Sequence, residues 1–567
     1  MSIDRPWLAS YAPGVPHDVD VPDEPLTASL DRAAARHPAR VAVDFLGATS
    51  TYAELADQVA RGARALHDLG VRHGDRVAIA LPNCTSHVVA FLAVLRLGAV
   101  VVEHNPTYGA AELRHQLADS GAGVAVVWEK TAAAVLEAAP GTALRTVVAV
   151  DLTRDLPRRS RALLRLPLPA ARRARAAMRA TVPASLPRWH RLVAAATPVP
   201  EEHPRPVADD LALVQFTGGT TGTPKGAALR HRNLVANTVQ GQAWTGAAEG
   251  TETVYAALPF FHAFGLTLCL LYGLRIAATI VPFPRFDVDQ VLAAQRRRPG
   301  TFLPAVPPML DRLAAAAEAD PRHDLSSFRF AFSGGMALPA EVAARWERVT
   351  GGLAVEGYGM TETAPVVLGG PLSADRRPGA LGLPFPGTDV RVVDPQDPMR
   401  DVPAGATGEL LVRGPQVFAG YWQRPDETAE QLLDGGWLRT GDLVRIDERG
   451  YVVLVDRIKE VIVTGGFKVY PSQVEDQLRE MPGVRDVAVV GVPGGDLGEK
   501  VVAAVVLDDG VDSAHVDLAA VRAWCQQRIA GYAVPRALVV VPELPRSILG
   551  KILRRAVRDD VLASATA

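Results

Sequence analysis

The stretch Thr217-Gly218-Gly219-Thr220-Thr221-Gly222-Thr223-Pro224-Lys225-Gly226 follows a short apolar segment, Leu211–Phe216, which has the length and composition of a buried strand. Its glycines allow several backbone N–H groups to turn toward one anion, because no Cβ lies in the way. Hydroxyl donors and a positive charge are added by Thr217, Thr220, Thr221, Thr223 and Lys225. The stretch therefore predicts a phosphate-binding loop behind a buried strand.

This loop differs from the Walker A motif, Gly-x-x-x-x-Gly-Lys-Ser/Thr. Pro224 precedes Lys225 and Gly226 follows it, so no hydroxyl adjoins the lysine to bind Mg²⁺. A flexible Gly/Thr linker is the alternative interpretation. We favour the phosphate loop, because a linker has no need of four threonines, a proline and a lysine behind a buried strand.

Length and composition limit the class of protein. A chain of 567 residues is too long for one ordinary core, so at least two domains are expected. A hydrophobic content of 48% and a net charge of −2 predict a soluble globular protein and give no argument for nucleic-acid binding. Cys84, Cys269 and Cys525 lie far apart, without the spacing of a metal site or a disulfide framework, which is typical of the cytoplasm.

Membrane insertion is not expected from the sequence. The N-terminal residues lack the apolar core of a signal peptide. The two longest apolar runs are interrupted by Arg96 and Arg275, and neither reaches the ~20 clean apolar residues that a transmembrane helix needs. We therefore expect a cytoplasmic protein, whose oligomeric state the sequence does not indicate.

Strand-like and helix-like patterns alternate through the first part of the chain. The segments Val41–Phe45, Arg76–Ala80 and Val124–Trp128 have buried-strand patterns, and residues 54–69 and 86–97 have helical ones. Such alternation is typical of parallel βαβ units. Beyond Val461 the elements are shorter and predict a small α+β domain. We therefore expect an α/β protein with a smaller second domain.

Residues 151–191 differ in composition from the rest, with eleven arginines, two aspartates and no lysine. Pro167 and Pro169 interrupt the segment, so two short helices are expected rather than one. Basic amphipathic helices bind anionic membrane surfaces, which is the basis for a hypothesis of peripheral contact with the inner membrane face. The alternative is a solvated surface whose arginines form local ion pairs. Nucleic acid is disfavoured, because no aromatic residue accompanies the arginines before Trp189.

Two segments downstream of the loop contain candidate site residues. Residues 257–265 read Ala-Leu-Pro-Phe-Phe-His-Ala-Phe-Gly and place His262 among aromatic side chains, where it is either a functional group or a packed core residue. Residues 328–338 begin as a strand and continue into Ser-Gly-Gly-Met-Ala-Leu, which contains Gly335 and Met336.

Residues 356–363, Glu-Gly-Tyr-Gly-Met-Thr-Glu-Thr, carry groups suited to a nucleotide. Glycines such as Gly359 let a flat purine lie against the backbone, and Tyr358 offers a ring on which it can stack. Glu362, which follows Thr361, can supply a hard oxygen ligand to Mg²⁺ beside the phosphates. The alternative for Glu362 is a solvated carboxylate in a turn.

Three segments near the C-terminal end add further candidates. Residues 437–442 read Trp-Leu-Arg-Thr-Gly-Asp, and the carboxylate of Asp442 can accept hydrogen bonds from both hydroxyls of a ribose. Residues 456–471 read Asp-Arg-Ile-Lys-Glu-Val-Ile-Val-Thr-Gly-Gly-Phe-Lys-Val-Tyr-Pro. Residues 545–555 read Pro-Arg-Ser-Ile-Leu-Gly-Lys-Ile-Leu-Arg-Arg.

In this order, the segments resemble the motifs of the adenylate-forming superfamily, which comprises acyl-CoA synthetases, the adenylation domains of peptide synthetases, and luciferases. The resemblance covers about residues 211 to 555. It implies a large N-terminal region of stacked α/β subdomains, residues 1–456, which includes the insertion at about 151–191. It also implies a small, mobile α+β C-terminal lid domain, residues 457–567.

The resemblance implies a role for each matching residue. Lys551 would act near the carboxylate and the α-phosphate, His262 would border the acyl pocket, and Lys459 would be the hinge. Mg²⁺ would be bound by Glu362 and Thr221, which would also be catalytic. Binding of ATP and coenzyme A would involve Thr217, Gly218, Gly219, Thr220, Gly222, Thr223, Lys225, Gly335, Met336, Tyr358, Gly359, Thr361, Asp442, Arg457, Gly465, Gly466 and Lys468. The chain departs from the common pattern at Lys468, where many relatives carry Asn, and at Ile548-Leu549, where small or polar residues are commoner.

The implied reaction has two steps. A carboxylate attacks the α-phosphate of ATP to give an acyl-adenylate and pyrophosphate, and the thiol of coenzyme A then displaces AMP. Residues 259–267 and the arginine-rich insertion resemble those of bacterial fatty-acid ligases. The neighbourhood of Met336, Pro365 and Val366 is apolar, without a cation for a second carboxylate. These features favour a medium- to long-chain fatty acid as the substrate.

Other functions remain open at this point. The alternatives within the superfamily are an aryl- or cinnamate-type CoA ligase and a fatty acyl-AMP ligase that delivers to a carrier protein. A non-catalytic nucleotide-binding regulator is the alternative of a different class, and the presence of Glu362, Asp442, Lys459 and Lys551 argues against it. A peptide-synthetase module is disfavoured, because no carrier-protein serine motif follows Lys551.

Overall fold

The computed structural model describes residues 5–217, 224–464, 466–494, 498–511, 515–547 and 550–566. The strands within these ranges are β1 (Val41–Phe45), β2 (Ala48–Thr51), β3 (Arg76–Ala80), β4 (Val100–Glu103), β5 (Val124–Trp128), β6 (Thr146–Val150), β7 (Leu211–Phe216), β8 (Gly226–Arg230), β9 (Thr253–Ala256), β10 (Thr279–Pro282), β11 (Phe302–Ala305), β12 (Phe330–Ser333), β13 (Leu353–Gly359), β14 (Val366–Gly369), β15 (Leu383–Pro384), β16 (Asp389–Asp394), β17 (Asp397–Asp401), β18 (Gly408–Arg413), β19 (Gly420–Tyr421), β20 (Leu432–Leu433), β21 (Trp437–Ile446), β22 (Val452–Arg457), β23 (Ile462–Thr464), β24 (Phe467–Val469), β25 (Val484–Pro493), β26 (Glu499–Leu507) and β27 (Ala537–Val540).

The α-helices in the same ranges are α1 (Ala28–Arg36), α2 (Tyr52–Asp68), α3 (Thr85–Arg96), α4 (Ala110–Ser120), α5 (Ala132–Ala138), α6 (Arg158–Leu163), α7 (Pro169–Met178), α8 (Trp189–Ala195), α9 (His231–Thr245), α10 (Ala263–Gly265), α11 (Tyr272–Arg275), α12 (Val288–Arg297), α13 (Pro307–Ala319), α14 (Ala340–Thr350), α15 (Pro425–Gln431), α16 (Pro471–Arg479), α17 (Leu518–Gln526) and α18 (Arg554–Thr566). None of the helices in the described ranges is long and apolar enough to cross a membrane.

A seven-stranded sheet, in the order β19-β8-β7-β4-β3-β5-β6, contains β7 and β8, the strands on either side of the predicted phosphate loop. Strands β3 to β7 pair in parallel, and the helices α3, α4 and α5 connect successive strands from β3 to β6. The predicted βαβ architecture is therefore confirmed here. The predicted strands at 76–80, 124–128 and 211–216 have the same bounds as β3, β5 and β7. Each is an apolar run, because a parallel strand inside an α/β sheet is buried on both faces.

A nine-stranded sheet, in the order β15-β14-β13-β12-β11-β9-β10-β1-β2, carries the second group of candidate residues. Its strands β9 to β13 pair in parallel. The loops that follow these neighbouring strands therefore lie at one edge of the sheet, which is where ligands bind in open α/β sheets. The loops after β9, β12 and β13 contain His262, Gly335 with Met336, and Glu362, respectively.

A third sheet contains Asp442 and was not expected from the sequence. Its strands are β16, β17, β18, β20, β21 and β22, and every pairing among them is antiparallel. It follows the two large sheets and is followed by the C-terminal elements from β23 onward, which form a two-stranded hairpin, the sheet β25-β26-β27 and the helices α16 to α18. The architecture is the expected α/β fold with a large N-terminal part and a smaller C-terminal part.

The insertion forms two short helices, as its two prolines predicted. Helices α6 and α7 contain no buried residue, and Pro169 is the first residue of α7. The segment is fixed on both sides by packing, because Leu152 and Leu156 before it and Trp189 after it are buried in the main core. Residues 158–178 therefore form an exposed segment whose two ends are connected to the main core.

Candidate active site

Strands β7 and β8, which flank the predicted phosphate loop in the chain, pair antiparallel. Phe216 pairs with Gly226, and the backbone N–H of Thr217 donates to the carbonyl oxygen of Lys225 at 2.9 Å. Thr217 and Lys225 therefore lie side by side, although sequence patterns had not indicated β8. The predicted residues Gly218, Gly219, Thr220, Thr221, Gly222 and Thr223 lie outside the described residues, so their roles remain predictions.

Lys225 lies beside an aromatic residue that the sequence did not single out. Its Nζ is 5.1 Å from the centre of the Tyr421 ring. A cation near the face of an aromatic ring is attracted by the negative charge density of that face. Tyr421 belongs to β19, which pairs with β8 directly beyond the loop. The hairpin and this neighbouring strand together position the lysine.

Glycines 357 and 359 allow the backbone around Tyr358 to pack closely. A Cβ at Gly357 would lie 1.8 Å from the ring of Phe332, and one at Gly359 would lie 1.9 Å from the carbonyl oxygen of Pro365. Neither position accepts a side chain without displacement of its neighbours. The glycines of this segment are therefore required by packing, in addition to any role in admitting a flat base.

Glu362 is a buried carboxylate in the short 3-10 turn Thr361–Thr363. Its Oε1 accepts a hydrogen bond of 2.7 Å from the hydroxyl of Tyr421. Burial raises the pKa of Glu362, and the Tyr421 hydrogen bond and the charge of Lys225 partly oppose that increase. The alternative of a solvated turn carboxylate does not fit this burial.

The surroundings of Glu362 fit a divalent cation. Burial disfavours an isolated carboxylate, and a hard cation beside it would restore the balance of charge. No group of three or more His, Cys, Asp or Glu side chains in the described ranges is arranged to hold a metal ion. Mg²⁺ is typically bound by one or two carboxylates together with the phosphates of the substrate. Glu362 meets that pattern as a single protein carboxylate near the phosphate loop.

Asp442 is held between an arginine and a tyrosine. Asp442 and Arg457 are directly opposed in the antiparallel pairing of β21 and β22, and Oδ1 lies 3.3 Å from the Arg457 Nε. The hydroxyl of Tyr358 donates to Oδ2 at 2.5 Å. Asp442 is buried. Three residues that were predicted separately for nucleotide binding therefore form one contact network, which joins the second and third sheets.

Lys551 belongs to the C-terminal part, and the charges of Arg457 and Asp442 affect its side chain. A Cβ added at Gly550 would be 3.4 Å from the Met336 Cε, so the segment touches the loop after β12, where Gly335 has a positive φ of 81°. Burial, together with the nearby Arg457, lowers the pKa of Lys551 to about 8, although Glu460 and Asp442 oppose the decrease. The lysine is thus still mainly protonated at pH 7.

His262 is a neutral imidazole at the end of the loop after β9. Burial lowers the pKa of His262 to about 4. Its Nδ1 accepts from the backbone N–H of Phe264 at 3.4 Å, which leaves the proton on Nε2. The side chain of Gln215, at the end of β7, donates to the carbonyl oxygen of Phe261 at 2.7 Å. This contact ties the histidine segment to the strand that precedes the phosphate loop.

Lys459 and Lys468 lie where the chain enters its C-terminal part. Lys459 is the middle residue of the 3-10 turn Ile458–Glu460, directly after β22. Lys468 is exposed on β24, in the hairpin whose turn contains Gly466 at φ 81°. Gly465 lies outside the described residues. The structure does not bring Lys468 to the Asp442 network, so its role stays a prediction.

Two carboxylate contacts of the site were missed by sequence reasoning. Glu356 accepts from the backbone N–H groups of Leu338 and Gly379, each at 3.0 Å, and so fixes the loop that contains Met336. Tyr421 fixes Glu362 and lies against Lys225. Glu356 stands inside a segment that was recognised, but Tyr421 lies in a strand of two residues that no periodicity reveals.

Comparison with known proteins identifies the class of this site. Residues 30–422 match the family model described as AMP-binding enzyme, and residues 473–551 match the model described as AMP-binding enzyme C-terminal domain. The first match covers more than half of the chain. The chain therefore belongs to the AMP-binding enzyme family, and the resemblance to adenylate-forming enzymes is confirmed.

Relatives and solved structures match the chain over nearly its whole length. The long-chain-fatty-acid–CoA ligase of Bacillus subtilis (strain 168) is 35% identical and is covered to 99%, as is this chain. The feruloyl-CoA synthase of an Amycolatopsis species is 38% identical over 93% of this chain and 97% of its own. The crystal structure of ATP-bound MatB from Rhodopseudomonas palustris has a TM-score of 0.79 at 30% identity, over 95% of this chain and 99% of its own. The chain is an enzyme of the acid–thiol ligase class.

Proposed function

We propose that this enzyme converts a medium- to long-chain fatty acid to its acyl-CoA ester in two steps. The acid and ATP give acyl-AMP and pyrophosphate, and coenzyme A then displaces AMP. The observation that carries the proposal is the contact network of Tyr358, Asp442 and Arg457, since the charges of Asp442 and Arg457 also affect the pKa of Lys551 from the C-terminal part. The Bacillus subtilis relative supports the fatty-acid substrate, and the Amycolatopsis relative supports an aromatic acid as the second candidate.

In the first step, the chain has to orient the nucleotide and neutralise the charge that develops at phosphorus. Asp442 accepts hydrogen bonds from the ribose hydroxyls, while Tyr358 and Arg457 hold its carboxylate in place. Lys225 and the phosphate loop contact the leaving pyrophosphate, and Lys551 contacts oxygens of the α-phosphate and the attacking carboxylate. The neutral His262 offers Nε2–H as a hydrogen-bond donor beside the acyl pocket.

Mg²⁺ would be held by Glu362, with Thr221 as the second predicted ligand. When bound, the ion supplies positive charge to the phosphate oxygens. The hydrogen bond from the Tyr421 hydroxyl to Oε1 fixes the orientation of the Glu362 carboxylate. The other oxygen, Oε2, would then bind the ion.

In the second step, Lys551 has to leave the site so that the thiol can approach the acyl carbonyl. We propose a lid, residues 457–567, that rotates about Lys459 between the steps. The hairpin with Gly465, Gly466 and Lys468 would then line the path of coenzyme A. Its position at the start of the C-terminal part, directly after the Ile458–Glu460 turn, supports this arrangement.

A substrate panel tests the proposed function. We expect ATP- and CoA-dependent AMP release to be fastest with fatty acids of medium to long chain, measured over C2–C20 acids, benzoate and 4-coumarate. A maximum with 4-coumarate or benzoate would replace the fatty acid by the aromatic candidate. Accumulation of acyl-AMP that coenzyme A does not discharge would indicate transfer to a carrier protein, and the lack of turnover with every acid would favour the regulator.

The pH dependence of the first step is predicted from Lys551. Its pKa is lowered to about 8, and the charged form, which exists below that pKa, is the one that stabilises the transferring phosphate. The kcat/KM for acyl-adenylate formation, which reports the enzyme before substrate binds, should therefore decrease about tenfold per pH unit above pH ~8. The Lys551→Arg variant should be slower but lose this decrease, because arginine stays protonated throughout the range. An unchanged decrease in that variant would assign the titration to another group.

The Tyr421→Phe variant should weaken the first step and its use of Mg²⁺. It removes the 2.7 Å hydrogen bond to Glu362 while it keeps the ring beside Lys225. A hydrogen bond to a charged group is worth about 1.5–3 kcal/mol, so we expect a decrease of ~10-fold to ~100-fold in acyl-adenylate formation and a higher Mg²⁺ concentration for half-maximal rate.

The matched control for this variant is Tyr255→Phe. Tyr255 is buried and donates to the carbonyl oxygen of Arg298 at 2.7 Å, away from the site. It should change thermal stability but leave the Mg²⁺ dependence as it is. If both variants shift the Mg²⁺ dependence alike, Tyr421 has only a structural role.

We also propose that the enzyme works in the cytoplasm and contacts the inner face of the membrane through residues 151–191. A long-chain acid partitions into lipid, so an enzyme at the bilayer surface meets its substrate where it accumulates.

A further inference from the structure

We propose that the surface formed by residues 158–175, here called the basic patch, binds the surface of a bilayer that contains anionic lipid. This inference specifies the residues of the proposed membrane contact. It rests on the proposed fatty-acid substrate only for the benefit of such contact, which is access to an acid dissolved in lipid. Helices α6 and α7 and the turn between them form the patch. We assign the lipid contacts to the side chains of the basic patch and not to the other residues of the insertion.

The first observation is that the described arginines of the patch have no carboxylate partners. Seven arginines and no acidic residue lie between 158 and 175. Within the described part of the chain, ion pairs of the insertion are formed only by residues outside the patch: Arg179 with Glu129 and Asp151, Arg188 with Glu129, and His190 with Asp155. The alternative of a solvated surface with local ion pairs therefore does not describe these seven arginines.

The second observation is the exposure of three leucines at the end of α6 and in the turn that leads to α7. Leu163, Leu166 and Leu168 are 61%, 43% and 55% exposed. Leu164, between them, packs against the main core and anchors the turn. Exposed apolar residues that are surrounded by unpaired arginines fit a bilayer interface, where the aliphatic side chains enter the acyl boundary and the guanidinium groups stay at the phosphates.

The charge of the rest of the chain favours an anionic bilayer as the binding partner of the basic patch. Removing seven positive charges from a net charge of −2 leaves −9 on the remaining residues, so the patch is a local positive surface on an acidic molecule. An anionic bilayer attracts the patch and repels the other faces, which orients the protein. Nucleic acid would not use the leucines. A second copy of this chain would have to place arginines against acidic surface, and it is an outcome of the test.

The test is flotation of the full-length protein with vesicles of phosphatidylcholine, either pure or with 30% phosphatidylglycerol, at about 100 mM NaCl. We expect binding to the anionic vesicles only, and loss of most of it at 0.5 M NaCl. The variant R158Q/R159Q/R172Q/R173Q should bind on the order of 10²–10³-fold more weakly, from the contribution of each basic residue near such a surface. The variant L163S/L166S/L168S should bind at least ~10-fold more weakly.

The matched control is R296Q/R445Q/R522Q/R536Q, which removes the same charge from four exposed arginines outside the patch. It should bind vesicles as the wild type does, and melting curves should show that all variants are folded. Equal binding by the wild type and both patch variants, no vesicle binding by the wild type, or loss of binding in the control overturns the proposal. A concentration-dependent dimer that the patch variants abolish, without vesicle binding, would assign the patch to a second copy.

The activity of the same proteins separates this inference from the proposed function. In detergent-free assays with a water-soluble medium-chain acid, the patch variants should keep the wild-type rate of AMP release, since none of the changed residues lies at the site. Vesicle binding by a protein that activates no fatty acid would overturn the proposed function and leave the basic patch as a membrane surface.

Discussion

The Lys551→Ala variant is expected to lose acyl-adenylate formation almost completely, while it still forms the thioester from supplied acyl-AMP and coenzyme A. We propose that Lys551 is the cation of the C-terminal part that acts at the α-phosphate, and the charges of Arg457 and Asp442 both affect its pKa. Loss of one preorganised group that stabilises transition-state charge typically costs ~10²–10³ in rate. The second step needs no charge at the α-phosphate before attack, because the acyl group is already activated, so it should be spared.

Two measurements check this expectation. Pyrophosphate release with acid and ATP reports the first step, and AMP release from purified acyl-AMP reports the second. The control is Arg555→Ala, which removes an exposed cation from α18, four residues further along the chain. It should leave both rates within about twofold, as is usual for an exposed surface position. Equal losses in both steps for Lys551→Ala would show a structural defect rather than the proposed role.

The fold was predictable where burial alone decides local structure. Strands β3, β5 and β7 are short apolar runs between turn residues, so their bounds could be predicted from composition. Strand β8, Gly-Ala-Ala-Leu-Arg, has no such pattern, and it forms because the hairpin pairs it with β7. The third sheet was missed as well, because antiparallel pairing between its strands stabilises it, and composition does not reveal the register of that pairing.

The residues of the candidate site could be predicted from their types and motifs, but most of the contacts between them could not. Asp442, Arg457 and Tyr358 were each assigned to the nucleotide site, and the structure brings them together. Lys551 was assigned to catalysis, and the charges of Arg457 and Asp442 affect its pKa. The cross-strand register that opposes Asp442 and Arg457 is a property of the third sheet, which the sequence did not indicate. Tyr421 contacts Glu362 across 59 positions of sequence, and only the three-dimensional arrangement reveals the pair.

The Lys459→Pro variant should show the opposite kinetic pattern to Lys551→Ala. Lys459 is the middle residue of a 3-10 turn, in which φ is about −50 to −70°. Proline fixes φ near −65°, so it is compatible with the arrangement that places Lys551 at the site and hinders any arrangement that needs another φ. Acyl-adenylate formation should therefore persist, while transfer to coenzyme A decreases by about 10²-fold, from the ~3 kcal/mol that an incompatible proline costs.

The Lys459→Ala variant separates the backbone from the side chain. Alanine removes the amine but leaves φ free, so a true hinge keeps transfer to coenzyme A in Lys459→Ala and loses it in Lys459→Pro. The measurement is a single-turnover experiment in which acyl-AMP is formed first and coenzyme A is added afterwards. Normal transfer in the proline variant would remove Lys459 as the pivot. Equal loss in both variants would mean that the amine, rather than rotation of the chain, is needed for the second step.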